Sequence, residues 1–498
     1  MKQKCMLNTF SSLVLQIITL ISGFILPRVL IETYGSDTNG LVSSITQFLS
    51  VISLLDCGVG AVIQTALYEP LAKNSNRGLS EVVSNGELFF KHIAEILLIY
   101  IVGLVFLYPK LIRSNCDGKE VALLIIFIGA SLLAQYYFGI IDNLLLVADQ
   151  KGYILYISQI VSTIINTLVC VGLMKTGSSV YFMKFLSAII LVLRPIVVRG
   201  YVNCHYYLKR NVKYPKNILK QKWNGLAQHI SYVVLNSTDI VVLSIFMDLK
   251  TVSIYSVYNL VISGLNQFLT ALCSGFQAMV GNLWARKEIL KLNKSFEKFE
   301  WLFHTITTFV FGCSFSLIIP FVQVYTGTVR DARYVQPFFA VIIVLATFLR
   351  CLSNPYWLII LAGGHYKQTQ VYFIISALIN IIISVFMVFK FGLIGVAIGT
   401  LIAMLYQVIW MSCYVSNNLI KWPAKIIAKQ FGVDICVIVS GLLIGSLWKF
   451  TCYKWFDWIK YAIVISFFWG ILEIVFNCIF YNKKMCELMR TLGKRIGE

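Results

Sequence analysis

Residues 144–168 read LLLVADQKGYILYISQIVSTIINTL, and residues 358–382 read LIILAGGHYKQTQVYFIISALINII. Each is an apolar run, a short polar break and a second apolar run. Ala148 aligns with Ala362 and Asn166 with Asn380, both at a spacing of 214 residues. The agreement falls in the polar junctions, where chance resemblance between apolar helices contributes least. A weaker echo relates GLVSSITQFLSV (40–51) to YSVYNLVISGLNQFL (255–269). The chain is read as an internal repeat of six apolar spans per copy. Junctions of the same kind align, so the halves share one orientation, related by an axis along the membrane normal, with a site between them.

The apolar runs are read as membrane helices. The chain has 498 residues, 58% hydrophobic and 13% charged, with a mean hydropathy of +0.79. Soluble domains carry about 25% charged residues. A continuous run of about 20 apolar residues crosses a bilayer as a helix, which satisfies its own backbone. The runs are too long and unbroken for the short alternating strands of a barrel. About fourteen spans are predicted, counting runs of that length. They lie near 8–31, 40–65, 92–109, 121–146, 153–173 and 179–205, then 226–247, 252–282, 301–326, 335–361, 369–389 and 391–415, and finally 433–448 and 458–481. The predicted fold is an all-α polytopic membrane protein: two six-helix lobes around a central cavity plus two C-terminal helices. The lobes are 1–205 and 226–420, joined by a basic linker, 206–225. Residues 421–498 hold the two extra helices and a basic tail.

The formal charge of +20 would suggest nucleic acid in a soluble protein. Here excess Lys and Arg mark cytoplasmic loops, and no nucleic-acid partner is expected. The basic segments after spans six, eight and twelve (Lys209–Lys222, Arg286–Lys298, Lys421–Lys429) and the tail (Lys483–Arg495) fall on one side if both termini are cytoplasmic. The first run follows Lys2 and Lys4, is too long for a signal-peptide core and lacks a small-residue cleavage site. It is read as a retained helix. Thirteen cysteines contain no CxxC pair. Most lie in apolar runs, where Cys is a small hydrophobe. No metal site, cofactor or enzymatic motif is expected.

Five basic side chains lie inside predicted spans: Arg28, Lys184, Arg194, Arg199 and Arg350. A cation in hydrocarbon costs about 2.5–3.5 kcal/mol on insertion scales. Several in one chain imply a wet, protein-walled cavity, with either an anionic cargo or counter-charges in the protein. Lys184 and Arg194 differ by about 15 Å in depth and share a broad helix face. Pro195 lacks an N–H and favours a bend beside Arg194. Arg350 is too central to reach the interface. Arg28 and Arg199 lie near span ends, where their long side chains can snorkel to headgroups. Asp56, Asp142, Asp239, Glu95 and Glu473 are the acidic groups near these depths. Pairing with the cations accounts best for Asp56 and Asp142. Asp239, and Asp56 after it, are the candidates for coupling to a Na+ or H+ gradient.

With ILPRVLIETYGSDTNGL (25–41), SLLDCGVGAVIQTALYEPLAKN (53–74) and LLLVADQKGYI (144–154) in this order, the chain resembles a known family over essentially its whole length. It is similar to the Wzx-type polysaccharide transporters of the multidrug/oligosaccharidyl-lipid/polysaccharide (MOP) exporter superfamily. The resemblance implies a flippase that carries undecaprenyl-pyrophosphate-linked oligosaccharide from the cytoplasmic to the outer leaflet of a bacterial cytoplasmic membrane. The product would feed capsule, O-antigen or another surface polysaccharide. Arg28, Lys184, Arg194 and Arg350 would hold the pyrophosphate or acidic sugars, since Arg matches phosphate oxygens well. Membrane lipids, a glycan polymerase and other assembly proteins would be its partners. Two alternatives remain: a peptidoglycan lipid II flippase and a cation-coupled multidrug antiporter of the same superfamily.

Overall fold

The structure, a computed structural model, describes residues 2–56, 58–112, 117–210, 226–420, 422–445, 454–487 and 490. Most of the predicted linker 206–225, and the tail beyond 490, lie outside these. The described chain is helical, without strands. Its first half comprises α1 (Lys2–Ser50), α2 (Val59–Ala72), α3 (Asn76–Leu111), α4 (Gly118–Ala134), α5 (Ile140–Ala148), α6 (Gly152–Lys175), α7 (Val180–His205) and α8 (Leu226–Phe246). Its second half comprises α9 (Leu249–Ala285), α10 (Ile289–Tyr325), α11 (Pro337–Leu352), α12 (Asn354–Ala362), α13 (Tyr366–Phe391), α14 (Leu393–Tyr414), α15 (Ala424–Gly445) and α16 (Trp455–Phe480). The chain forms two compact units, Met1–Ser256 and Val257–Glu498. The boundary falls inside α9, so α8 and the start of α9 pack with the first unit.

Twelve stretches among the described residues are long and apolar enough to cross a membrane. One of them, Met6–Asp56, contains the first predicted span and the first part of the second. They join through a bend at Gly35, whose φ of 83° and ψ of 173° interrupt the helix. α9 covers the span predicted near 252–282 but is not among the twelve. Its Asn259, Asn266 and Gln267 dilute an otherwise apolar helix. The all-helical, multi-pass architecture read from hydropathy is therefore the observed one.

The repeat is written into the backbone. Left-handed residues recur in pairs, Asn74 with Lys287, Gln150 with Gly364, and Gly177 with Gly392, each within one residue of the 214-residue spacing. The fourth predicted span breaks into α4 and α5 at the π-helical turn Gln135–Gly139. The tenth breaks into α11 and α12 at Ser353, which is the position 214 residues after Gly139. One break is not repeated. The second predicted span leaves α1, tightens into a 3-10 turn over Val51–Asp56, and resumes as α2 after the left-handed Gly58, φ 68°. α9 runs unbroken through Leu272, the corresponding position.

Small residues set the closest helix approaches, as they do where lipid supplies no hydrophobic drive for association. A Cβ on Gly395 would lie 2.2 Å from the Met387 carbonyl oxygen, and one on Gly399 would lie 2.2 Å from Ser384 Oγ. This GxxxG pair draws α13 and α14 together. In the second unit, the fully buried Trp469 of α16 lies between Gly312 of α10 and Gly441 of α15. A Cβ at either glycine would come within 2.3 Å of the indole. The indole N–H donates to Ser316 Oγ at 3.1 Å. In the first unit, Leu41, Ile45, Ile63, Leu97, Leu124 and Leu145 form the dry centre.

Candidate functional site

The polar interior of the first unit is organised by the break in its fourth span. A π-turn widens the helix by one residue per turn, and such turns often mark functional sites. Here the turn directs two neighbouring side chains to different partners. Gln135 Oε1 accepts a hydrogen bond from Arg194 Nη2 at 3.2 Å. Tyr136 donates its hydroxyl to Asp56 Oδ2 at 3.0 Å. Gly139 lets α7 approach at its proline, since a Cβ there would lie 2.9 Å from Pro195 Cβ.

Asp56 ends the 3-10 turn of the second span. Its other oxygen, Oδ1, is buried and has no hydrogen-bond partner among the described residues. Beside it, His229 Nε2 lies 2.9 Å from the Ser53 carbonyl oxygen. Irregular backbone at membrane depth persists only where protein surrounds it or where it lines a wet cavity. The Val51–Gly58 break meets that condition by packing against the fourth span and α8. Discontinuous helices of this kind form the binding sites of many transporters.

α7 carries the cations. Ser179 caps it, accepting the Phe182 N–H at 3.3 Å, and from there Lys184, Ser187, Leu191 and Arg194 fall on one broad face. Lys184 lines a pocket of about 330 Å³ with Ser50, Ser131, Asn166, Ser187 and the apolar Leu49 and Leu132. Serines and an amide set polar groups into a mostly apolar wall, and none supplies a negative charge. Among the described residues no carboxylate forms an ion pair with Lys184 or Arg194. One turn beyond Leu191, which closes the pocket, lies Arg194 with its neutral partner Gln135. A pocket and a broken-helix site thus follow each other along α7.

The remaining cations behave differently. Arg28 pairs with Glu32 at 3.1 Å, both side chains about a third exposed. Arg199, whose place near a span end suggests an interfacial anchor, instead turns inward. Its Nη2 lies 3.3 Å from Glu87 Oε1, and its guanidinium lies over the Phe138 ring at 5.4 Å. Glu87 is also bonded by Arg210 Nη1, and Arg210 Nη2 donates to the fully buried Asp142 Oδ1 at 2.8 Å. This quartet is held together by alternating charge. Arg350 is half-buried in the last turn of α11, in the second unit, and its carbonyl accepts the Ser353 hydroxyl at 2.6 Å. Asp239 is buried and accepts the Tyr255 hydroxyl at 2.8 Å. The structure therefore places Lys184 and Arg194 on one face of α7, and it ties Arg194 and Asp56 to adjacent residues of the π-turn. Arg28 and Asp239 have partners of their own.

Sequence reading passes over Glu87 and Arg210. Hydropathy starts the third span near residue 92, whereas α3 begins at Asn76, so Glu87 looks like a loop residue while being 5% exposed. Arg210 lies in a run of basic loop residues, and nothing in its neighbourhood in sequence distinguishes it from them.

No protein-family model matches the chain, and no curated protein matches it in sequence. Solved structures do match its fold. The structure described as "Lipid II flippase MurJ, inward closed conformation" aligns with a TM-score of 0.71 at 16% identity, over 96% of this chain and 100% of that one. The MATE multidrug transporter DinF-BH aligns with a TM-score of 0.62 at 15% identity, over 84% of this chain and 96% of that one. At these identities the likeness is one of fold. The chain is a multi-pass membrane protein that shares its fold with these MurJ and MATE structures.

Proposed function

We propose that this protein is a flippase for undecaprenyl-pyrophosphate-linked oligosaccharide, working by alternating access in a bacterial cytoplasmic membrane with both termini cytoplasmic. One observation carries the reading. Of the membrane cations, Lys184 and Arg194 line the interior of the first unit with no carboxylate to neutralise either among the described residues. Half-buried cations left unpaired at membrane depth are costly, by up to about 2.5–3.5 kcal/mol on insertion scales. They are worth keeping where an anion arrives during the working cycle. A pyrophosphate is such an anion, and guanidinium and ammonium groups bind its oxygens with charge-assisted hydrogen bonds. Arg28, which also pairs with Glu32, and Arg350 are the other two cations proposed to meet the cargo. Asp239, buried beside Tyr255, and Asp56, at the broken helix, are the ion-coupling candidates. The glycan would pass on to a polymerase and the other proteins of surface-polysaccharide assembly.

A second reading, lipid II transport, is favoured by the alignment with MurJ over nearly the whole chain. Multidrug antiport fits less well, since a cationic drug would meet unpaired cations. The test is a flipping assay in proteoliposomes with three cargoes: undecaprenyl-pyrophosphate oligosaccharide, lipid II and ethidium. Preferential flipping of the oligosaccharide lipid is the expected result. Flipping of lipid II alone would transfer the protein to the second reading, and ethidium transport alone would overturn both.

A further inference from the structure

The second unit buries an ionisable cluster that plays no part in the proposed cargo binding. His304 of α10 is fully buried, and its Nδ1 lies 2.6 Å from Oδ2 of Asp434 on α15. Asp434 Oδ1 accepts from Thr308 Oγ1 at 3.2 Å and from Gln430 Nε2 at 3.1 Å. One turn before His304, Glu300 Oε1 accepts the hydroxyl of Tyr356 on α12 at 2.5 Å. Glu473 of α16 completes the group, its Oε2 accepting Asn477 Nδ2 at 3.0 Å. Asn477 Oδ1 in turn accepts the Trp301 N–H at 2.7 Å. Glu300 is 2% exposed, Asp434 3% and Glu473 5%.

Three features separate this cluster from a structural ion pair. First, its charges do not balance. Three carboxylates face one imidazole, and Lys484 at the rim is engaged by Glu297 at 2.9 Å. Tyr481 and Tyr356, the other titratable groups against the cluster, carry no positive charge. Carboxylates sharing a desolvated site cannot all ionise, so the cluster holds at least one proton beyond the one on the imidazole. Second, His304 Nε2 and Glu473 Oε1 are buried without any hydrogen-bond partner among the described residues. A neutral imidazole leaves Nε2 as an empty acceptor, and an imidazolium leaves it as an unused donor. The same holds for Glu473 Oε1, ionised or protonated. Each unmet group is a cost to the fold. A static pair would be free to satisfy these atoms, whereas a group that changes protonation state cannot be satisfied in both. Third, no three His, Cys, Asp or Glu side chains among the described residues are arranged to hold a metal ion.

We propose that His304, Asp434, Glu300 and Glu473 form a proton-binding site that exchanges one proton with water in each transport cycle. Binding adds H+ to the cluster and raises its charge by one; release returns it. Because α10, α12, α15 and α16 each contribute a group, the proton state sets how firmly these helices are held together. The proposal rests on the transport reading for its cycle but not for the proton itself.

Two measurements separate these dependencies. Infrared titration of the purified protein in lipid nanodiscs reads carboxyl protonation without any cargo. Between about pH 5 and 8, the wild type is expected to lose a carboxylic-acid band that Asp434→Asn and Glu473→Gln each diminish. Identical titration in wild type and both variants would overturn the site. Glu473→Gln is nearly isosteric, so the test survives if Asp434→Asn fails to fold. In proteoliposomes with undecaprenyl-pyrophosphate oligosaccharide, an imposed pH gradient is expected to speed wild-type flipping several-fold. His304→Gln should abolish the acceleration, with thermal unfolding in nanodiscs showing that the variant is folded. Acceleration that persists in His304→Gln would overturn the coupling. Loss of the band in the variants without flipping of this cargo by the wild type would uphold the site and count against the cargo instead.

Discussion

Replacing Lys184 by Met separates a cargo-binding cation from a structural one, because the two roles predict opposite changes in stability. Lys184 lines a pocket of about 330 Å³ beside serines, an asparagine and leucines, with no ion-paired carboxylate among the described residues. Lys184 is the fifth residue of α7, so the roughly 2.5–3.5 kcal/mol of a Lys at a helix centre is the upper bound of its insertion cost, and Met has nearly the same length without the charge. Lys184→Met should therefore leave the protein equally stable, or stabilise it by up to about 3 kcal/mol. Loss of one charge-assisted hydrogen bond to a phosphate removes about 1.5–3 kcal/mol, which is about a ten- to hundredfold loss of productive binding. The measurements are thermal unfolding in nanodiscs and the initial rate of flipping of fluorescently labelled lipid-linked oligosaccharide, with Lys184→Arg as the charge-conserving control. Raised or unchanged stability with slowed flipping is the expected pair of results. A variant that flips at the wild-type rate, or one that loses stability and flipping together, would refute the reasoning.

Glu87→Gln should behave in the opposite way, since it leaves Arg199 and Arg210 facing each other without their shared carboxylate. A loss of about 3–5 kcal/mol is expected, recovered in part by adding Arg199→Met; unfolding midpoints of the single and double variants decide it. Gly441→Ala places a methyl 2.2 Å from the Trp469 ring and should cost about 1–3 kcal/mol through overpacking. Trp469→Phe in the same background should restore part of that loss in a thermal unfolding series. Tyr136→Phe removes the hydroxyl that donates to Asp56, whose Oδ1 is already unmatched, and should destabilise by about 1–3 kcal/mol. Asp56→Asn should cost less in the same assay, because a neutral amide is cheaper to bury than a stranded carboxylate.

The repeat shows which parts of the molecule a linear reading can reach. The polar junctions at Ala148 and Ala362 mark the ends of α5 and α12, and the backbone adopts left-handed turns at Gln150 and Gly364 just beyond them. Junctions are local: a few residues decide where a helix stops, and composition records them. The break at Val51–Gly58 was not legible in this way. SLLDCGVGA reads as one continuous apolar span, and at the break His229 of α8 meets the Ser53 carbonyl while Tyr136 of the fourth span, itself broken at Gln135–Gly139, meets the Asp56 carboxylate.

The sequence by itself determined that the chain is a multi-pass helical membrane protein, that its halves repeat, and which charged residues lie at membrane depth. Hydropathy and spacing suffice for this, because each helix in lipid must satisfy its own backbone and each buried charge stands out against an apolar background. Only the tertiary structure decided which cations are neutralised. Arg199 finds Glu87, 112 residues away in the chain, and His304 finds Asp434, 130 residues away. Lys184 and Arg194 find no such carboxylate among the described residues. Charge pairing acts through space over a few ångströms, and no spacing along the chain records it. The question posed by the membrane cations thus divides, with a carboxylate of the protein beside Arg28 and Arg199 and an anion from outside it as the proposed partner of Lys184 and Arg194.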